Sequence, residues 1–227
     1  MQQGDFVPVS SRVTIQDGVY RQLRHALMTG RFEPEQVLTI SSLAETFGTS
    51  HMPVREALRR LAAENALVTA PNGSARVPSV SRARLDDLCR ARIAVEGLAA
   101  ELATANLGKA EIAELELLLA AHEASGRNES VYEMLGKNRE FHFALYQGSN
   151  SEVLIQLIET LWLRFGPYMR MLTRHVEPIL KSQGAVTYSQ HHHEAIDALR
   201  SRDAAGVRQA IIDDIAATQE LLGTLCD

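Results

Sequence analysis

Cysteine is almost absent: only Cys89 and Cys226 occur in 227 residues, and their spacing fits neither a disulfide framework nor a zinc ribbon. A reducing, cytoplasmic setting suits such a chain. No apolar run approaches the ~20 residues needed to cross a bilayer. The N-terminus also lacks the basic and apolar regions of a signal peptide, so no membrane partner is expected. Internal repeats, low-complexity segments, phosphate-binding loops and an evident catalytic nucleophile are missing as well. So is an excess of positive charge. The formal net charge of −5 excludes a protein that coats nucleic acid indiscriminately.

The charge is unevenly spread. Residues 1–80 hold eight Lys and Arg against seven Asp and Glu, whereas residues 81–227 hold fifteen against twenty-one. Four of the first part's eight arginines lie in a patterned stretch, Ser41 to Val77. Leu43, Ala44 and Phe47 make one face of a short helix, with Ser41 or Ser42 as its cap and Gly48 as its end. Ser50 then caps a second helix with Pro53 in its first turn, where a missing N–H costs nothing. Val54, Leu58 and Leu61 form its apolar face and leave His51, Arg55 and Arg59 on other sides. Beyond it, Leu67-Val68-Thr69-Ala70 and Ala75-Arg76-Val77 flank Pro71-Asn72-Gly73-Ser74, a strong hairpin signal. A helix-turn-helix followed by such a wing points to double-stranded DNA. Arg55, one turn into the second helix, can read guanine bidentately, and Arg76 can meet phosphates or a minor groove. Each piece alone is bland, since Arg59 and Arg60 as isolated residues read as solvated helix charges. Their order and short gaps are what carry meaning.

These residues resemble the DNA-binding domain of GntR-type bacterial transcription regulators. The resemblance runs from about Val19 to Val80 and is carried by Gly30-Arg31-Phe32, Leu43-Ala44-Glu45, the run Pro53 to Leu61, and Asn72-Gly73-Ser74-Ala75-Arg76-Val77. It implies that Ser50, His51 and Arg55 contact bases or phosphates and that Asn72-Gly73 is the wing tip in a minor groove. Three departures stand out. His51 replaces an arginine or other long polar residue, which can weaken binding or tie it to pH. Glu35 stands where glycine is usual, and Asn65 where glycine usually ends the recognition helix.

From Ser81 onward the chain turns to leucine, alanine and glutamate with helical periodicity throughout. Helices are expected over 82–106, 110–126, 129–148, 151–172, 174–182, 185–201 and 203–223. The fold class is therefore mainly α: an N-terminal winged helix-turn-helix with a small β-hairpin wing (13–80) after a flexible arm (1–12), then an all-α antiparallel bundle (81–227). Polar residues interrupt its apolar stripes. Asn138 and His142 share a face with Met134, Phe141 and Leu145, His192 with Ile196 and Leu199, and Asp214 with Val207, Ile211, Ala217 and Leu221. A buried carboxylate must be paired, protonated or bound to a cation. The four residues make either a mixed N/O site for a divalent metal such as zinc, nickel, manganese or iron, or a hydrogen-bonded core cluster. Arg92 and Glu96, one turn apart, read either as an ion pair or as a clamp for a small carboxylate. Arg164, Tyr168 and Arg170 are further effector candidates.

Residues of about 82–225 are similar to the ligand-binding domain of the FadR subgroup of the same family. The resemblance rests on Arg92-Ile93-Ala94-Val95-Glu96, Phe141-His142, Gly148-Ser149-Asn150, Leu161-Trp162 and His192 with Ile196-Asp197-Ala198-Leu199. It implies a dimeric helical domain that binds small carboxylates, often through a metal. Here Asn138 takes the place of the usual aspartate ligand and Asp214 that of the last histidine, so the set still carries one negative charge. Near-neutral DNA-binding halves imply two copies acting on a palindromic operator. The expected function is a homodimeric DNA-binding regulator controlled by a small carboxylate bound in the bundle beside a divalent metal. The alternatives are a metal sensor without organic effector and a helical-bundle metalloenzyme.

Overall fold

The computed structural model describes residues 13–70, 74–127, 131–183 and 189–226. The arm expected over 1–12 and the wing tip Asn72-Gly73 lie outside them. The N-terminal winged helix consists of α1 (Val13–Met28), β1 (Val37–Leu38), α2 (Ile40–Thr46), α3 (His51–Ala63), β2 (Val68–Thr69) and β3 (Ala75–Arg76). Val19, Leu23 and Leu27, one turn apart along α1, are buried and pack α1 onto α3, whose Val54, Leu58 and Leu61 are equally buried.

The wing is more than a hairpin. β3 is central and antiparallel to both neighbours, so that Arg76 pairs with Val37 of β1 and Val68 of β2. At two residues, β1 exists by pairing rather than by propensity. The caps also differ from expectation. Thr39, in extended conformation, caps α2 by accepting from the Ser42 amide at 3.3 Å, while Ser41 and Ser42 fall inside the first turn. Ser50 does precede α3, but its side chain makes no capping bond. Glu35 and Asn65, the two replacements of usual glycines, adopt φ of 64° and 57°.

The C-terminal domain holds α4 (Arg82–Asn106), α5 (Lys109–Arg127), α6 (Val131–Gln147), α7 (Glu152–Gln183), α8 (Gln190–Arg200) and α9 (Ala204–Gly223). The break expected near residue 173 does not occur: α7 is a single helix of 32 residues. Thr173 stays helical by returning its hydroxyl to the Met169 carbonyl at 2.7 Å, the back-bond that lets threonine sit in a helix interior. Gly126, also expected as a break, lies within the last turn of α5.

The two parts meet along α7. A Cβ on Gly166 would lie 2.4 Å from the Leu27 carbonyl oxygen, and one on Gly30 (φ +67°) would lie 2.7 Å from the Arg170 amide nitrogen. Backbones approach this closely only where no side chain intervenes. Around the contact, Arg24 pairs with Glu159 at 3.1 Å and Arg31 lies 3.7 Å over the Tyr132 ring. Arg170 binds Glu33 through Nε at 2.8 Å and also donates to the Tyr132 hydroxyl.

Candidate functional site

On α3 the buried face of Val54, Leu58 and Leu61 leaves Ser50, His51, Arg55 and Arg59 exposed. His51, Arg55 and Arg59 follow one another at four-residue steps and so run along one stripe of the helix. Arg59 is held by Glu56 at 2.7 Å, which ties it down locally. Arg60 instead packs its guanidinium 3.6 Å over the Tyr20 ring. Arg76 is exposed on β3.

In the helical domain the residues flagged on apolar stripes do converge. The ligand-capable atoms of His142, His192 and Asp214 all lie within 4.8 Å of one another. The Nε2 atoms of His142 and His192 face each other at 3.1 Å, and Asp214 reaches His142 at 3.4 Å and His192 at 3.8 Å. Burial drives the His192 imidazole down to about 3, although Asp214 opposes this, so the ring is neutral at pH 7. Burial also works against the Asp214 charge, but the imidazoles of His192 and His142 outweigh it and hold the carboxyl below the usual range.

The proton positions around His142 follow from its partners. Burial, with Glu96 next, raises the Tyr146 hydroxyl well above its ordinary value, so Tyr146 keeps its single proton and donates it to Glu96 at 2.7 Å. The hydroxyl oxygen can then only accept, and His142 Nδ1, 3.0 Å away, must donate to it. His142 Nε2 is therefore the ring nitrogen left facing His192 and Asp214, a lone pair whenever the ring is neutral. Behind it, Glu96 accepts from Arg92 Nε at 2.7 Å, and the Arg92 guanidinium stands 4.5 Å over the Phe165 ring. The Trp162 ring lies 5.5 Å from that of His142.

Asp214 also lines a cavity of about 270 Å³. The walls come from five helices and include Met134, Leu135 and Asn138 of α6, Leu172 of α7 and Thr218 of α9, a size and apolar character suited to a small organic molecule. Among the described residues no lysine or arginine lines it. His122 of α5 does, and the sequence reading passed over it. It is buried, donates through Nδ1 to the Met134 carbonyl (2.9 Å), and its Nε2 has no partner. The signal was available, because Leu115, Leu119 and His122 have the same i, i+4, i+7 spacing that drew attention to His192.

None of the five expected effector residues lines this cavity. Arg92 and Glu96 form a buried ion pair one layer behind His142, so the guanidinium is already engaged. Arg164 is half-buried, its Nε without a partner. Tyr168 and Arg170 belong to contacts along the inner length of α7, Tyr168 donating to the Ser81 carbonyl at 2.9 Å and Arg170 reaching Glu33.

Residues 15–77 match the gntR family of bacterial regulatory proteins, and residues 87–217 match the FCD domain. The chain belongs to the GntR family. It is 34% identical over 195 residues to the HTH-type transcriptional regulator McbR of Escherichia coli K12, covering 86% of each chain. The solved E. coli McbR/YncC structure superposes with a TM-score of 0.84 at 31% identity, over 94% of this chain and 99% of that one. The HTH-type transcriptional repressor GlaR of the same organism is 28% identical over 92% of this chain and 98% of its own. As a GntR-family member with regulators for relatives, the protein is a DNA-binding transcription regulator and not an enzyme, which sets the metalloenzyme alternative aside. Among the described residues no helix is long and apolar enough to cross a membrane.

Proposed function

We propose that this GntR-family regulator binds a palindromic operator as a homodimer in the cytoplasm, and that a small organic acid in the α5–α9 cavity, beside a divalent metal, sets its operator affinity. His142, His192 and Asp214 would hold the metal, with the Asn138 amide oxygen as a fourth ligand. The placement of His142 Nε2 carries this reading. The Tyr146–Glu96 chain engages the other ring nitrogen, and Nε2 meets a second imidazole nitrogen at 3.1 Å beside a carboxylate. Such a donor set suits zinc, nickel, manganese or iron. Bound there, the ion would supply positive charge to a cavity that Asp214 makes negative and that no lysine or arginine lines among the described residues, the condition for receiving a carboxylate.

On the DNA side, Ser50, His51, Arg55 and Arg59 of α3 would face the major groove, and Arg76 with Asn72-Gly73 of the wing the minor groove. Exposed apolar pairs one turn apart, Leu98 and Leu102 on α4 and Val153 and Leu157 on α7, support self-association through those two helices, which pack against each other. The test is calorimetric titration of chelator-stripped protein with Zn²⁺, Ni²⁺ and Mn²⁺, followed by titration of the loaded protein with small mono- and dicarboxylates. Binding of one metal per chain and acid binding only to the loaded form is expected; no metal binding would overturn the reading. The metal-sensor alternative is supported by the metal-capable group His142, His192 and Asp214 itself, and operator release by metal without acid would establish it.

A further inference from the structure

Two imidazole nitrogens in the histidine cluster are buried without partners: His192 Nδ1 and His122 Nε2. The rings that carry them lie edge-on, 5.6 Å apart between centroids and inclined at 65°. A buried polar atom left unsatisfied costs about 1–3 kcal/mol, so two on adjacent rings call for a common explanation.

Proton positions supply one. Tyr146 holds a His142 proton on Nδ1, so with both rings neutral and no cation present the 3.1 Å contact between the two Nε2 atoms requires His192 to carry its proton on Nε2. His192 Nδ1 is then a lone pair. On His122, Nδ1 sits 2.9 Å from the Met134 carbonyl oxygen. A carbonyl only accepts, so Nδ1 bears the proton and Nε2 is again a lone pair. Burial keeps the His122 ring neutral. In the metal-free protein both orphans are therefore acceptors, and neither can satisfy the other.

We propose that His122 is the outer-shell acceptor that completes the metal site by fixing the tautomer of His192. The inference rests on the metal reading above. To ligate through Nε2, His192 gives that proton to solvent and takes one up at Nδ1, with no net change in charge. The new Nδ1–H then meets His122 Nε2, directly after a small ring shift or through one water. Both orphans are satisfied in a single step, and the chain ends at the Met134 carbonyl. His142 has the equivalent support in Tyr146 and Glu96. Each ligating imidazole is thus oriented by a hydrogen bond from its far nitrogen, the arrangement that sets tautomer and basicity in metal sites. His122 itself is a positioning residue. Its Nε2 lies outside the group of atoms that gather within 4.8 Å.

The experiment measures Zn²⁺ affinity by competition with a chromophoric chelator, on the full chain, for wild type, His122→Phe and His122→Gln. Phenylalanine keeps the ring shape and removes the acceptor; glutamine keeps an oxygen acceptor near the Nε2 position. A 10- to 100-fold weaker affinity for His122→Phe is expected, in the range of outer-shell substitutions, with His122→Gln within about threefold of wild type by the same reasoning. ¹⁵N imidazole spectra of the wild type, which do not depend on any variant folding, should show His192 passing from Nε2–H to Nδ1–H on zinc loading. Unchanged affinity in His122→Phe, or no tautomer change in the zinc-loaded wild type, overturns the role of His122 while leaving the metal site standing. Failure of the wild type to bind zinc at all overturns both.

Discussion

Arg170 of α7 and Glu33 of the loop before β1 form an ion pair at 2.5 Å between the two parts of the chain. Leu172, two residues further along the same helix, lines the cavity. One rigid element thus touches both the ligand cavity and the winged helix. For an effector to act through it, the effector must bind the two placements of the winged helix unequally.

Replacing Arg170 with alanine should leave metal and acid binding intact but shrink the effector-dependent change in operator affinity several-fold. The pair itself is partly solvent-exposed, and such pairs contribute ~0.2–1 kcal/mol, so the melting temperature should fall by only about 1–3 °C. Fluorescence anisotropy on labelled operator, with and without effector, checks the first part. A response equal to wild type would remove this pair from the coupling.

The same pair carries a pH dependence. Hydrogen bonding from Arg170 holds the Glu33 carboxyl below its ordinary value of 4.5. A depressed acid contributes stability that is fully present above the unfolded value and is lost as pH falls through the folded one. Domain docking should therefore loosen below about pH 4.5, and Glu33→Gln should flatten that part of the stability curve. Thermal melts between pH 3.5 and 6 decide it; identical curves for both proteins would show that Glu33 contributes nothing.

Arg55 is exposed one turn into α3 with its guanidinium turned to solvent. Arg55→Ala should weaken operator binding by roughly 10- to 100-fold, the worth of one bidentate guanine contact, with little loss on nonspecific DNA. Arg59, already tied to Glu56, should matter less and show mainly in the salt dependence. Equal losses on specific and nonspecific DNA for Arg55→Ala would demote it to a phosphate contact.

Glu35 occupies the left-handed region at φ 64°, where a side chain costs roughly 1 kcal/mol relative to glycine. Glu35→Gly should raise stability by up to about that much without changing operator affinity. Asn65→Gly should gain less, because asparagine tolerates this conformation. Chemical denaturation with an unchanged m-value is the readout, and destabilisation by Glu35→Gly would mean the side chain makes up its backbone cost elsewhere.

Leu102→Glu, alone or with Leu98→Glu, should shift the protein toward monomer in sedimentation and lower operator affinity steeply, since one near-neutral winged helix holds DNA weakly. Unaltered dimerisation would move the interface away from α4.

The DNA-binding half was legible because its signals are local: Pro53 in a first turn, Gly48 between two helices, and a 3.6-residue apolar face. Even the departures at Glu35 and Asn65 fell on the positive-φ positions that glycine normally fills. Much of what escaped depends on partners distant in sequence. β1 needs β3 to exist, whereas the run of α7 through residue 173 escaped for a local reason, a threonine hydroxyl bonding the carbonyl four residues earlier. The inward faces of His142, His192 and Asp214 were readable from helical spacing and their grouping from the family resemblance, whereas the engagement of Arg92 by Glu96 and of Arg170 by Glu33 left two expected clamps occupied. His122 lay on a stripe as regular as the others, and only the cavity reveals that it matters.

Trp162 is the sole tryptophan of the chain, and its ring lies 5.5 Å from that of His142. The protein therefore carries its own optical probe at the histidine cluster. Any change in charge or proton placement on that imidazole alters the surroundings of a single indole, and excitation at the red edge of its absorption leaves the five tyrosines silent. Occupancy of the site can be followed in unlabelled, unmodified protein, in the same cuvette in which the operator is added.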